Sequence, residues 1–435
     1  MAEQVENKKN YTIPIIVMFL LFGMISFVTN LASPMGDILK NQFNIPNCQG
    51  TLGVFANFIA YAVMGIPSGT LLQKRGYKNT ALIAVAVGFI GVGIQTISGF
   101  AESFMVYLIG AFIAGFSMCL LNTVVNPMLN KLGGGGNRGN QLIQIGGSFN
   151  SLMGTAVIII TGLLIPQGIK NANISNVFPL MYTALIIFAI AFVVILITKI
   201  PENETKASSV VIDSTGKGPM SFRHFVMGAI AIFIYVGVEV GIPNVLNKWL
   251  QNPELNILGD GVNAEAVAGS VAATYWFLML IGRLIGGIIG NKVSAKSMLT
   301  VVSCIGIILT LLAMFGPETM IKFPAFNGVH GFGLERIPLN ATFLVCIGLC
   351  TSVMWGGIFN LAVEGLGKYT EKASGIFMAL VCGGGILPLL MNVIVDGNGG
   401  TGYLQSYWII VIGLAYILFY AFWGSKNVNK DIPTE

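Results

Sequence analysis

The sequence predicts an all-α membrane protein with twelve transmembrane helices in two six-helix, pseudo-symmetric halves. Three observations carry that prediction. Only 9% of the 435 residues are charged while 54% are hydrophobic, and the mean hydropathy is +0.79. Soluble proteins carry roughly 25% charged residues. A water-soluble fold could not clothe so much apolar surface, whereas lipid accepts an apolar exterior. Apolar runs near the length of a bilayer crossing recur along the whole chain. Finally, features of the first half return at corresponding places in the second.

A crossing helix needs about 20 apolar residues. The runs fall at roughly 14–40, 50–73, 79–98, 103–130, 143–165, 176–199, 222–250, 265–290, 296–315, 339–363, 372–396 and 403–424. The first follows a polar stretch of mixed charge, Met1 to Asn10, and carries no small-residue cleavage site, so it reads as a retained span. The 55 glycines suit close helix approach in lipid. The longest polar break, Pro201 to Ser221, divides the chain into an N-terminal half (1–200), a cytoplasmic linker (201–221) and a C-terminal half (222–435).

The basic residues set the orientation. With the N-terminus in the cytoplasm, 18 of the 23 Lys and Arg fall on inside segments, among them Lys74, Arg75, Lys78, Lys131, Arg138 and Arg283. Only Lys40, Lys170, Lys248, Lys322 and Arg336 fall outside. Positive charge accumulates on the cytoplasmic side of inner-membrane proteins, which puts both termini there and supports the count of twelve. The net charge of +5 is spread over a membrane face and implies no nucleic acid.

The internal echo is specific in position. The fourth span ends Asn126-Pro-Met-Leu-Asn-Lys-Leu132-Gly133, and the tenth ends Asn360-Leu-Ala-Val-Glu-Gly-Leu366-Gly367. Spans two and eight both run into Gly-rich basic segments, Gly69 to Lys78 and Gly282-Arg283-Leu-Ile-Gly-Gly. A parallel duplication of six helices predicts such matches.

The segment Gly69 to Lys78 resembles the signature between helices two and three of the major facilitator superfamily. Gly69, Leu71, Lys74, Gly76 and Lys78 fit it, and Gln73 stands where the signature has an acid. Its glycines permit tight helix approach, and its cations can engage helix C-termini. Gly69, Arg75, Gly76, Lys78 and Arg283 are therefore the expected gating or structural set. A narrower resemblance, to the fucose–galactose–glucose proton symporter family, covers nearly the whole chain. It rests on Asn30-Leu31, Gly65-Ile-Pro-Ser-Gly69, Asn122-Thr-Val-Val-Asn-Pro127, Ser148-Phe-Asn150, Tyr235-Val-Gly-Val-Glu239 and Tyr275-Trp276. Ile358-Phe359, Gly365-Leu-Gly-Lys368 and Gly383-Gly-Gly385 complete it. The resemblance implies the major facilitator fold, alternating access and sugar uptake, with no cofactor.

Departures from that family are informative. Its helix-one Asp and helix-four Glu, which the resemblance assigns to proton-coupled sugar transport, are Ser33 and Asn122 here. Neither titrates near neutral pH, so both usual proton sites are absent. Gln144-Ile-Gly-Gly147 replaces Asn-Leu-Ala-Gln, and Val54 replaces a helix-two Gln, with Asn57 nearby. Two acids are coupling candidates. Asp37 lies one turn beyond Ser33, and Glu239 lies inside the apolar run Ile230 to Pro243, where an ionisable group must be paired or face a cavity. Glu364 is expected in a charge network near the end of helix ten.

The remaining polar stock of the spans is amide: Asn30, Asn57, Asn122, Gln144, Asn150, Asn244, Asn360 and Asn392. Amides offer donors and acceptors to hydroxyls without a net charge. Tyr235, Trp276 and Trp355 could stack on a pyranose ring. With Ser33 and Glu239 these are the candidate substrate-binding residues. Asn126-Pro127 reads as a kink in which Asn compensates the carbonyl that Pro frees.

Other chemistries lack support. The six cysteines form no metal spacing and read as packing. Gly133 to Gly136 lacks a phosphate-loop ending and reads as a flexible linkage. His224 and His330 fall in expected loops, with no metal pair. No intramembrane nucleophile or paired acid points to an enzyme. The expectation is thus a monomeric carrier in the cytoplasmic membrane for a small neutral solute, a monosaccharide or derivative, coupled to H+ or Na+ or to neither. An exporter or permease for another metabolite or drug on the same fold is the alternative.

Overall fold

The computed structural model describes residues 11–43, 52–164, 174–201, 217–252, 254–259, 261–317, 319–327, 331–398, 402–429 and 432. The long elements are α1 (Thr12–Phe43), α2 (Leu52–Phe100), α3 (Phe104–Leu132), α4 (Gly136–Leu164), α5 (Phe178–Ile197), α6 (Arg223–Gln251), α7 (Ala264–Ile289) and α8 (Ala295–Phe315). A hairpin of β1 (Met320–Phe326) and β2 (Phe332–Pro338) follows. Then come α9 (Leu339–Thr351), α10 (Met354–Val363), α11 (Thr370–Ala379), α12 (Gly383–Gly397), α13 (Tyr403–Ser406) and α14 (Trp408–Phe419). Among the described residues, ten stretches are long and apolar enough to cross a membrane.

The second of these is two helices in one. Straight, the 49 residues of α2 would reach about 73 Å, far beyond a bilayer. The chain turns at Gly76, whose φ of 76° an L side chain rarely adopts. Packing shows that the limbs lie side by side. A Cβ on Gly115 of α3 would meet Ala60, while a Cβ on Gly91 would meet Ala114. Ala60 and Gly91 thus flank the same point of α3, although 31 residues of straight helix would part them by about 46 Å.

Other boundaries follow the apolar runs closely, with differences in detail. The tenth span is broken at residues 352–353 and the eleventh at 380–382. The glycine run is a tight turn rather than a flexible linkage. Gly134, Gly135 and Gly136 all have positive φ, and Gly135 N–H bonds the Asn130 carbonyl at 2.9 Å. Among the described residues, the β-hairpin is the one departure from the all-α expectation. Its seven-residue strands pair antiparallel, Met320 opposite Pro338 and Phe326 opposite Phe332, and Phe326 N–H donates to Ser270 Oγ of α7 at 3.0 Å. His224 is not in a loop: it opens α6, fully buried, with Nε2 donating to the Glu364 carbonyl at 2.9 Å. Glu364 thus contributes a backbone oxygen, and no ion pair of its side chain is found among the described residues. His330 and Cys48 lie outside the described residues.

The two halves meet along α2 with α11, α3 with α10, and α4 with α7. Small residues set the first seam. A Cβ on Gly69 would stand 2.9 Å from Gly375 Cα, and one on Gly375 would stand 2.6 Å from Gly69 Cα. Gly76 and Lys78 complete the motif locally: Lys78 Nζ donates to the carbonyls of Leu196 (2.7 Å) and Thr198 (3.0 Å), capping α5. Such helix-end capping by a cation is the role the sequence suggests. Arg75 is exposed. Beside it, Tyr77 donates to Glu371 Oε1 across the seam at 3.4 Å.

Candidate functional site

The polar centre of the interface is built on one guanidinium. Arg283, read from the sequence in the Gly-rich basic segment at the inner end of the eighth span (roughly 265–290), lies inside α7 and is 7% exposed. α7 continues through Gly286 and Gly287, which pack against Val353 and Ile145. Arg283 Nη2 pairs with Glu239 Oε1 at 3.1 Å, joining the sequence's coupling candidate to its gating candidate. Nη1 donates to Ser151 Oγ (2.7 Å), the Gly147 carbonyl (3.1 Å) and Asn150 Oδ1 (3.5 Å), all on α4 of the other half. Nε reaches the Ser352 carbonyl at 3.4 Å, in the break of the tenth span. A buried charge needs such pairing, since an ion taken out of water costs several kcal/mol otherwise.

An aromatic group adjoins the pair. Tyr235, one turn before Glu239, is fully buried, with its hydroxyl beside the Glu239–Arg283 pair. Trp355 lies edge-on to Tyr235 at 6.3 Å and to Phe377 at 6.3 Å. Trp355 Nε1 donates to Asn126 Oδ1 on α3 at 2.9 Å. Glu239 keeps 12% of its side chain exposed and Trp355 is half-buried. Asn150 is half-buried too, and its Nδ2 donates to the Phe22 carbonyl of α1 at 3.0 Å.

Other candidates take different places. Gln144 donates to the Val353 carbonyl at 2.8 Å, and Asn360 Oδ1 accepts from Asn130 Nδ2 at 2.6 Å. Both residues tie the halves together rather than standing free for a solute. Asn122 donates to the Tyr61 hydroxyl at 2.8 Å, and Asn30 bonds Ser26 of its own helix at 2.9 Å. Asn57 is buried beside Gly115. Trp276 packs edge-on against Tyr275 at 5.6 Å. Asn244 and Asn392 form a separate cluster near the far ends of α6 and α12, where Lys248 Nζ donates to Asn392 Oδ1 at 2.9 Å. The side chains of Ser33, Asp37 and Val54 lie outside the described residues.

The Asn126-Pro127 kink is compensated differently from the expectation. Pro127 lacks the N–H that would reach the Thr123 carbonyl. That carbonyl accepts from Ser374 Oγ of α11 at 3.1 Å. Asn126 Nδ2 instead bonds the Asn122 carbonyl at 2.9 Å, and its oxygen serves Trp355. A kink in one half is thereby satisfied from the other.

Sequence reasoning missed Gly147, Ser151, Ser352, Asn130 and Ser374. One signal was present. Gly147 stands where the resembled family has Gln, and a Cβ there would sit 3.3 Å from Arg283 Cδ. The glycine leaves room for the guanidinium beside its own carbonyl.

A bundle of long apolar helices in two facing sets, with a buried charge pair at their junction, defines a multi-pass membrane transporter. The chain matches the model of the Major Facilitator Superfamily over residues 15–389, and it belongs to that superfamily. It is 27% identical over 431 residues to the glucose/galactose transporter of Brucella abortus biovar 1 (strain 9-941), covering 98% of this chain and 97% of that protein. It is 23% identical over 447 residues to the L-fucose-proton symporter of Escherichia coli (strain K12), covering 98% and 96%. The fold is similar to the crystal structure of the transporter FucP in the outward conformation, with a TM-score of 0.78, 20% identity, and 96% and 100% of the two chains covered. These names agree with the narrower resemblance read from the motifs. The protein is a transporter and not an enzyme.

Proposed function

We propose that this chain carries a neutral, hydroxyl-rich solute, a monosaccharide or derivative, across the cytoplasmic membrane by alternating access. The observation that carries the reading is the Glu239–Arg283 pair beside Trp355 and the buried Tyr235 hydroxyl, at the junction of the halves. A carboxylate accepts from hydroxyls, a tyrosine hydroxyl can donate or accept, and an indole face stacks on the apolar face of a sugar. The relatives' names, for glucose/galactose and L-fucose transport, support the same class.

In this reading both limbs of α2 and the 29-residue α4 are crossings, making twelve in two halves, 1–200 and 222–435, joined by the cytoplasmic linker 201–221. Both termini are cytoplasmic, and the carrier works as a monomer in lipid. Coupling is to protons through Glu239, the carboxylate set well inside a span among the described side chains.

Uptake into proteoliposomes tests this. Trp355→Ala should lower the apparent affinity for glucose, galactose or fucose at least tenfold. Glu239→Gln should remove accumulation against a gradient, and its residual exchange should no longer vary with pH. A pH profile unchanged in Glu239→Gln would remove the coupling role. Binding of hydrophobic cations with no response to any sugar would favour the exporter reading instead.

A further inference from the structure

We infer that Arg283 is the positioning residue through which the charge on Glu239 controls how firmly the two halves close on each other at the α4–α7 seam. The inference deepens the proposed role of Glu239. It needs no assumption about which solute is carried.

One guanidinium serves both halves. Nη2 and Nε are engaged within the C-terminal half, by Glu239 at 3.1 Å and the Ser352 carbonyl at 3.4 Å. Nη1 is engaged across the seam by Ser151 Oγ, the Gly147 carbonyl and Asn150 Oδ1. The partners differ in kind. Those on α7's own side include a full negative charge, and those on α4 are neutral dipoles. Around this contact the seam is fitted closely. Gln141 Nε2 donates to the Gly287 carbonyl at 2.9 Å, and Cβ atoms on Gly287 or Gly356 would stand 2.9 Å from Ile145 Cγ1 and 2.7 Å from Gln144 Nε2.

Opening this seam withdraws α4 and takes away every acceptor of Nη1. With Glu239 charged, the guanidinium keeps its ion-pair partner in the opened state, and the pair stays neutral overall. With Glu239 neutral, opening leaves an uncompensated cation inside a span, which is strongly disfavoured. The α4 dipoles then become the main support of the charge. A neutral Glu239 therefore tightens the closed seam, and a charged Glu239 frees it to open. A carrier with Glu239 neutral and nothing else bound is held closed at this seam. That arrangement opposes leakage of the neutralising proton without solute.

The test reads conformation directly, in lipid nanodiscs, with neither sugar nor gradient. Spin labels on Asn137→Cys and Lys292→Cys, exposed positions at the start of α4 and just past the end of α7, report closed and open populations by electron–electron distance, in a chain whose native cysteines are replaced. Glu239→Gln should raise the closed-to-open ratio. Arg283→Gln should lower it about tenfold, the effect of losing a charged hydrogen-bond group. Glu239→Gln added to Arg283→Gln should then change nothing further. Ser151→Ala keeps both charges and should lower the ratio by a smaller factor, so the inference is testable even where Arg283→Gln folds poorly. An equal effect of Glu239→Gln with and without Arg283 overturns the inference, as does a ratio unmoved by Ser151→Ala and Arg283→Gln together. Because no transport is measured, a failure here is separate from a failure of the sugar assignment.

Discussion

The two halves meet at one site with different chemistry. The N-terminal half brings hydroxyls, amides and backbone carbonyls: Ser151, Asn150, Gly147, Asn126. The C-terminal half brings both charges, Glu239 and Arg283, and the indole of Trp355. The difference follows from the sequence, in which Asn122 and Ser33 occupy the places of the acids of the resembled family. Neutral dipoles can engage and release a cation without leaving a charge behind. A second carboxylate on the moving partner could not. Concentrating charge in one half thus lets the other half move at low electrostatic penalty.

The largest effect should come from breaking the pair inside the C-terminal half. Arg283→Met leaves Glu239 buried without its cation, and stability should fall by about 3–5 kcal/mol. The double variant Glu239→Gln/Arg283→Met should recover most of that loss, because a buried pair replaced as a unit is often nearly neutral. Thermal unfolding in detergent checks both. A single variant as stable as the double would mean that the pair does not hold this site together.

A packing change at the seam between the halves comes next. Valine at Gly375 would press its Cβ to 2.6 Å from Gly69 Cα, and overpacking of that kind costs about 1–3 kcal/mol. Gly375→Val should therefore disfavour the closed seam and slow transport. Gly93→Ala, where a Cβ would meet nothing within 4 Å, should leave transport unchanged. Equal transport by the two variants would show that close approach of α2 and α11 has no part in the cycle.

How much of this was legible beforehand depends on the kind of signal. The spans were, because lipid imposes a length and an apolar composition that can be read residue by residue. The bend at Gly76 was legible in outline, since two runs flanked a polar break. The β-hairpin was not. Its strands are seven residues long and carry Pro324 and Pro338, which read as loop. Glu239 was recognisable as an acid in an apolar run, which demands a partner. Arg283 was not recognised as that partner. Forty-four positions separate them, and the glycines after Arg283 imitate a loop. Gln144 and Asn360 looked like solute ligands because an amide reads the same whether its partner is a sugar or a facing helix. Only packing across the halves distinguishes the two.

The smallest effect should come from a cation that caps a helix of the N-terminal half. Lys78 caps the end of α5 through the Leu196 and Thr198 carbonyls, so it acts on a helix terminus. Lys78→Gln should cost about 0.3–1 kcal/mol, the ordinary worth of a charge at a helix end. Its transport rate and pH profile should match those of the parent chain. The comparison depends on that result. If Lys78→Gln altered the pH profile, charge in the N-terminal half would take part in coupling, and the division between a charged half and a dipolar half would fail. If only thermal stability moved, the basic motif of the N-terminal half would be structural, and coupling would belong to Glu239 and Arg283.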